Sequence, residues 1–328
     1  MSETTRKQEP IFKTDNTRFT QLPYKYPEIQ AAYEKAENSF WSAKEIDYTA
    51  DLKDWEKLSD NEKYFIEHVL AFFAGADGIV VENLVTNFCS EVQIPEARNF
   101  YGFQVMIENI HGQVYSQLID TFIKNPERKQ ELFEAIDKIP CISKKANWAL
   151  KWVDQKRPFE ERLIAFAVIE GVFFSGSFCS IFWLKNRGKM VKALGHSNEL
   201  IARDEGMHTD FAVLLYTYLV NKVSQKTVEK IFKEAVEIEE EFICESLPCD
   251  LLGMNKNLMK QYIRFVADRL LTQLGFEKIY NEENPFNFMN NISLNGKTNF
   301  FEKRVTEYIH TSAANVNEDL FEDDDIDF

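Results

Sequence analysis

Glu108-Asn-Ile-His111 and Glu205-Gly-Met-His208 repeat one spacing, and the reading of that spacing decides the fold. On an α-helix, residues three apart share a face, so each copy aims a carboxylate and an imidazole at one point. Each copy also follows a lone carboxylate in an apolar run. Asp77 stands within Ala71-Phe-Phe-Ala-Gly-Ala-Asp-Gly-Ile-Val-Val81, and Glu170 within Ala165-Phe-Ala-Val-Ile-Glu-Gly-Val-Phe-Phe174. A carboxylate in such company is expected to be buried, and a buried charge needs a partner, a metal or a shifted pKa. A structural ion pair or a protonated acid would have to hold at both places and still leave two Glu-His pairs unexplained. Four inward carboxylates and two imidazoles are O/N donors of the kind first-row metals accept, and their number suits two ions.

Lone carboxylate helix followed by Glu-x-x-His helix, twice over, predicts two antiparallel helix pairs related by pseudo-symmetry. Ferritin-like di-iron and di-manganese bundles are built with this ligand recipe. The expected fold is therefore all-α, a ferritin-like di-metal helical bundle with additional helices. Ser59-Asp-Asn-Glu62 is a capping box opening a long helix through Phe65, Phe72, Phe73 and Leu84. Apolar helical period then recurs around 100–123, 128–137, 145–153, 160–185, 195–220, 226–246 and 254–274. Residues 1–30 read as an irregular arm, 31–310 as the helical domain, and 311–328 as a disordered acidic tail.

The net charge of −15 excludes the Lys- and Arg-rich surfaces that nucleic acids and anionic membranes need. Five cysteines form no C-x-x-C pair and are odd in number, which points to reduced thiols. The polar start MSETTRKQEP lacks an apolar signal core, and with the thiols it suggests the cytoplasm. Leu163–Leu184 is long enough to span a bilayer, but it carries Glu170, Gly171, Gly176 and three serines, so a buried bundle helix explains it better. No P-loop or G-x-G-x-x-G motif marks a nucleotide site.

Asp204 sits beside a ligand on another helix face, where it would either serve His111 across the bundle or pair with Arg203 at the surface. Tyr115 lies one turn beyond His111 and points to the same interior. Phe174, Phe178 and Ile201 are expected to wall an apolar pocket about its ring.

These residues fall within longer stretches: FW at 40–41, HVLAFFAGADGIVVENL at 68–84, ENIHGQVYS at 108–116, EGVFFSGSF at 170–178, SNELIARDEGMH at 197–208, ENPFNFM at 283–289 and GKTNFFEKRV at 296–305. Together they make the chain, from about Phe40 onward, resemble the small, radical-generating subunit of class I ribonucleotide reductase of the eukaryotic and large-DNA-virus type. The resemblance implies that Asp77, Glu108, His111, Glu170, Glu205 and His208 hold two iron ions, manganese being accepted by the same ligands. It implies that O2 and an external reductant leave a stable radical on Tyr115. Trp41, Asp204 and His111 would begin a radical-transfer route, and Tyr308 would carry it onward. Two such chains would form a homodimer. The tail, through Ile326, Asp327 and Phe328, would dock on the large catalytic subunit, where ribonucleotides are reduced. Phe321 departs from the family pattern by one position. The alternative is a ferritin-like di-iron oxidase or iron-handling protein without a large-subunit partner, for which Tyr115, Trp41 and Phe328 would have no use.

The spacing has a third copy, Glu307-Tyr-Ile-His310, which follows an Asn-rich stretch and has no carboxylate in an apolar helix upstream. It is read as no ligand. Glu307→Ala is therefore expected to leave the number of metal ions bound per chain unchanged, measured by metal analysis after reconstitution.

Overall fold

A computed structural model describes residues 8–13, 19–246 and 249–289. Among them the chain is helical and contains no strand. In order come α1 (Pro27–Glu37), α2 (Leu52–Lys57), α3 (Asp60–Asn83), α4 (Cys89–Glu91), α5 (Pro95–Phe122), α6 (Pro126–Phe133), α7 (Ala135–Lys138), α8 (Pro140–Val153), α9 (Phe159–Val168), α10 (Ser175–Asn186), α11 (Leu194–Thr217), α12 (Gln225–Glu240) and α13 (Lys256–Gln273). Wider π turns interrupt the ladder at Leu84–Phe88, Ile169–Phe173 and Glu241–Ser246.

Local chemistry sets most helix starts. The Ser59–Glu62 box closes as read: Glu62 N donates to Ser59 Oγ at 3.3 Å and Ser59 N to Glu62 Oε2 at 3.0 Å. Proline opens α1, α5, α6 and α8, where its missing N–H costs nothing and its φ is already helical. Ser224 and Asn255 cap α12 and α13.

Pro27 also corrects the arm. Helix α1 begins there, inside the segment expected to be irregular to residue 30, because proline at the first helical position presets the turn. Part of the arm is tied down as well. Ile11 is fully buried, and the Glu9 carboxylate accepts hydrogen bonds from Val220 N at 2.7 Å and Asn221 N at 2.8 Å.

Helix α3 packs along α5, and α9 along α11, so the two expected helix pairs form. Together α9, the π turn and α10 make the central rod, buried along almost its whole length, which is why its composition mimics a membrane span. Asp60–Glu91 is also long and apolar enough to span a bilayer, which corrects the expectation that no second segment resembles Leu163–Leu184. Its Asp77 and Glu62 are buried among protein groups.

The first compact unit runs Met1–Pro285; of the second, Phe286–Phe328, only 286–289 are described. The expected 310/311 boundary, the Glu307 motif, Tyr308, Phe321, Ile326, Asp327 and Phe328 lie outside the described residues.

Candidate metal centre

Helix α3 supplies Asp77, α5 supplies Glu108 and His111, the π turn supplies Glu170, and α11 supplies Glu205 and His208. All six are buried, Glu108 and His111 completely. Ligand atoms of Glu108, Glu170, Glu205 and His208 all lie within 4.8 Å of one another. His111 Nδ1 is 3.3 Å from Glu108 Oε2 and 3.1 Å from Glu205 Oε1. His208 Nδ1 is 2.9 Å from Glu108 Oε1 and 3.1 Å from Glu205 Oε2. The two imidazoles thus converge on the same two carboxylates, as the three-residue spacing on α5 and α11 requires. Asp77 faces Gly112, where a Cβ would stand 3.9 Å from the Asp77 Cβ, so it joins the cluster next to His111.

The electrostatics of the cluster are those of a cation site. Burial, then the charge of Glu108, pushes the Asp77 carboxyl well above its usual range. Burial, then Glu205 and Glu108, does the same to Glu170. Burial opposes charge on Glu205 too, yet the Glu170 hydrogen bond and the His208 charge hold it well below. Burial likewise resists protonation of His208, but Glu108 and Glu205 push it up to about 9. Protons on these groups offset a charge that no Lys or Arg among the described residues pairs with directly. Even so, Asp77 Oδ2, both Glu108 oxygens, Glu170 Oε2 and Glu205 Oε1 accept no well-directed hydrogen bond, although His111 Nδ1 and His208 Nδ1 lie close to the Glu108 oxygens and Glu205 Oε1. Buried acceptors left without donors are costly, and oxygen donors with imidazole nitrogens suit first-row divalent ions. The residues fit two metal ions.

Behind His111, Asp204 Oδ2 lies 3.1 Å from its Nε2 and accepts the Trp41 indole N–H at 2.7 Å. Arg203 donates to Asp204 Oδ1 at 2.8 Å. Both readings of Asp204 therefore find their contact, but Asp204 is buried, so its pairing with Arg203 is not a surface ion pair. Burial works to raise the Asp204 pKa, while the His111 hydrogen bond and Arg203 hold it below normal. Ionised Asp204 orients the ring through the Nε2 side and so turns Nδ1 toward the cluster. Trp41 stacks over His111, ring centroids 6.0 Å apart.

Tyr115 is buried, and its hydroxyl has no hydrogen-bond partner. Burial, then the charges of Asp77, Glu205 and Glu108, raises its pKa far above the ordinary phenol value, so it stays protonated. Phe73 stacks on its ring at 4.6 Å and 7°. Phe178 and Phe174 pack on Phe73 at 4.9 and 5.4 Å, and Ile201 is buried on α11.

Residues 18–285 match the family model described as ribonucleotide reductase, small chain. This chain belongs to that family. It is 60% identical over 309 residues to the ribonucleoside-diphosphate reductase small chain of Neurospora crassa, covering 94% of this chain and 75% of that one. Against the small chain of Vaccinia virus (strain Ankara) identity is 58% over 300 residues, covering 92% and 94%. Among solved structures, the Rnr4 homodimer of Saccharomyces cerevisiae superposes with a TM-score of 0.80 at 42% identity, over 92% of each chain.

In this small chain, two residues of the site escaped the sequence reading. Phe73, the ring on Tyr115, lies one turn before Asp77 on the same face of α3, a spacing that would have found it. Gln104, one turn before Glu108, donates to Glu170 Oε1 at 3.2 Å.

Protons and divalent ions compete for the same atoms. Since His208 holds its proton up to about 9 and the Asp77, Glu170 and His111 pKa values are raised, metal affinity is expected to climb with pH through the neutral range. Binding should also release protons. Mn(II) titration by electron paramagnetic resonance (EPR) at several pH values, with an indicator dye, measures both; a flat profile would contradict the cluster's electrostatics.

Proposed function

We propose that this ribonucleoside-diphosphate reductase small subunit, an oxidoreductase component, holds two iron ions and uses them to make a radical on Tyr115. The observation that carries this reading is the position of an unpartnered, sealed phenol within the field of the carboxylate cluster. Asp77, Glu108, His111, Glu170, Glu205 and His208 would hold the irons, and manganese is accepted by the same donors. When bound, the metals supply the capacity to reduce O2 and to withdraw an electron from a neighbouring group.

Tyr115 contributes one electron and its hydroxyl proton. Phe73, with Phe174 and Phe178 packed on it, keeps water and reductants from the oxidised ring. The chain Trp41 N–H to Asp204 to His111 N–H is a hydrogen-bonded path along which an outside electron reaches the site, Asp204 keeping both donors oriented. Reduction of O2 to water takes four electrons: two from iron, one from Tyr115 and one from outside. The stored oxidising equivalent then passes through Tyr308 to a large catalytic subunit, where the nucleotide is reduced.

Docking on that partner falls to the acidic segment 318–328, whose Ile326 and Phe328, flanking Asp327, are apolar anchors for coupled folding and binding. We further propose a homodimer, as in the Rnr4 structure, working in the cytoplasm, where thiols such as Cys89, Cys141, Cys179 and Cys244, none of them in a disulfide, stay reduced.

Tyr115→Phe should still bind metal and consume O2 but give no tyrosyl signal by EPR; a persistent signal would move the radical elsewhere. Deleting residues 322–328 should leave that signal intact and abolish nucleotide reduction in the presence of the large subunit. Full activity after truncation would remove the tail from docking.

A further inference from the structure

Of the four carboxylates, Asp77, Glu108 and Glu205 stand on regular helices whose ladders fix their backbones. Glu170 does not. It stands on the π turn Ile169–Phe173, where the backbone bonds shift to the wider i→i+5 register. A small apolar gap of about 20 Å³ lies on the side facing α3 and α8, lined by Phe72, Ala146, Ile169, Phe173 and Phe174 with Lys145 among them.

We propose that the buried ion pair Lys145–Glu239, from α8 and α12, is a clamp that positions Glu170 by gripping the junction between the π turn and α10. The proposal rests on the di-metal reading above. Lys145 and Glu239 are both fully buried, with Nζ and Oε2 2.5 Å apart. Lys145 Nζ also donates to the carbonyl of Phe173, the last residue of the π turn, at 2.6 Å. Glu239 Oε1 accepts the backbone N–H of Gly176 at 3.2 Å. That N–H lies in the first turn of α10, just past the π turn. One pair thus holds a carbonyl on one side of the junction and an amide on the other.

Gly176 makes the grip possible, since a Cβ there would stand 2.6 Å from Glu239 Oε1. The ammonium is further confined by the faces of Phe72 at 3.6 Å and Phe242 at 4.1 Å. Burial lowers the Lys145 pKa to about 8 and raises that of Glu239, so both charges are held at a cost. Apolar residues of similar size would stabilise a core as well or better. Stability alone therefore does not account for the pair, whereas the two backbone contacts do.

The pair Lys145→Met with Glu239→Leu removes both charges together, which avoids a lone buried ion. Lys145→Met with Glu239→Gln keeps an acceptor for Gly176 N–H and is the milder variant should the first melt early. Amide hydrogen exchange, read without added metal, is expected to accelerate about tenfold or more across 170–178 while α3 and α5 stay unchanged. Mn(II) titration by EPR is expected to show one of two ions bound about tenfold more weakly or worse, at a melting temperature close to that of the unaltered protein. The milder variant should fall between on both readouts. Unchanged exchange, or faster exchange with unchanged Mn(II) affinity, overturns the clamp. Failure of the unaltered protein to bind two Mn(II) would instead sink the di-metal reading, and exchange across 170–178 would still decide whether the pair grips the junction.

Discussion

Four buried carboxylates act on one another's charge, three of them with His208 within 4.8 Å, and such a group cannot stay fully ionised without positive charge beside it. Most of the described molecule serves that constraint. The cluster needs four helical segments to reach it from different sides, and it needs Asp204 to orient the His111 imidazole. It also needs an apolar jacket thick enough that no solvent relieves the charge. The same dryness that makes the cluster greedy for cations shelters the Tyr115 phenol. Affinity for metal and protection of an oxidised side chain are two results of one desolvated volume.

The sequence made the first half of this legible because helical spacing is local. Glu108 with His111, and Glu205 with His208, need only a three-residue offset to converge, and Asp77 and Glu170 declared their burial through their neighbours. The Ser59 cap was readable for the same reason. What stayed hidden depended on tertiary partners or on departures from the regular ladder. A π turn at Ile169–Phe173 has no spacing signature of its own. Lys145 reads as a surface residue in Ser143-Lys-Lys-Ala, and only the fold brings Glu239 to it. Gln104 met Glu170 across the bundle. Phe73 lies on the Asp77 face of α3, one turn away, so its place beside Tyr115 is legible from spacing. Pro27, a helix opener, was read as part of a loose arm because the segment around it is polar.

Resemblance carried what spacing did not. A di-metal bundle followed from residue offsets, but the role of the tail and the identity of the partner came from the family stretches. The match to the ribonucleotide reductase small-chain family supports the coarse identity across residues 18–285. The segment assigned to docking lies beyond that match.

One consequence of the helix geometry concerns how such a protein tolerates changes in chain length. Gln104, Glu108, His111 and Tyr115, spaced four, three and four residues apart, occupy one face of α5, with Gly112 giving room to Asp77. One inserted residue midway would rotate everything after it by about 100° and dismiss a ligand and the phenol together. The rod formed by α9 and α10 behaves in the opposite way. Its π turn is what a helix looks like after taking in one extra residue without breaking, and Glu170 stands within that turn. Insertions and deletions should therefore be purged from α5 and survivable in the central rod, so the two halves of an outwardly duplicated site would evolve under different rules.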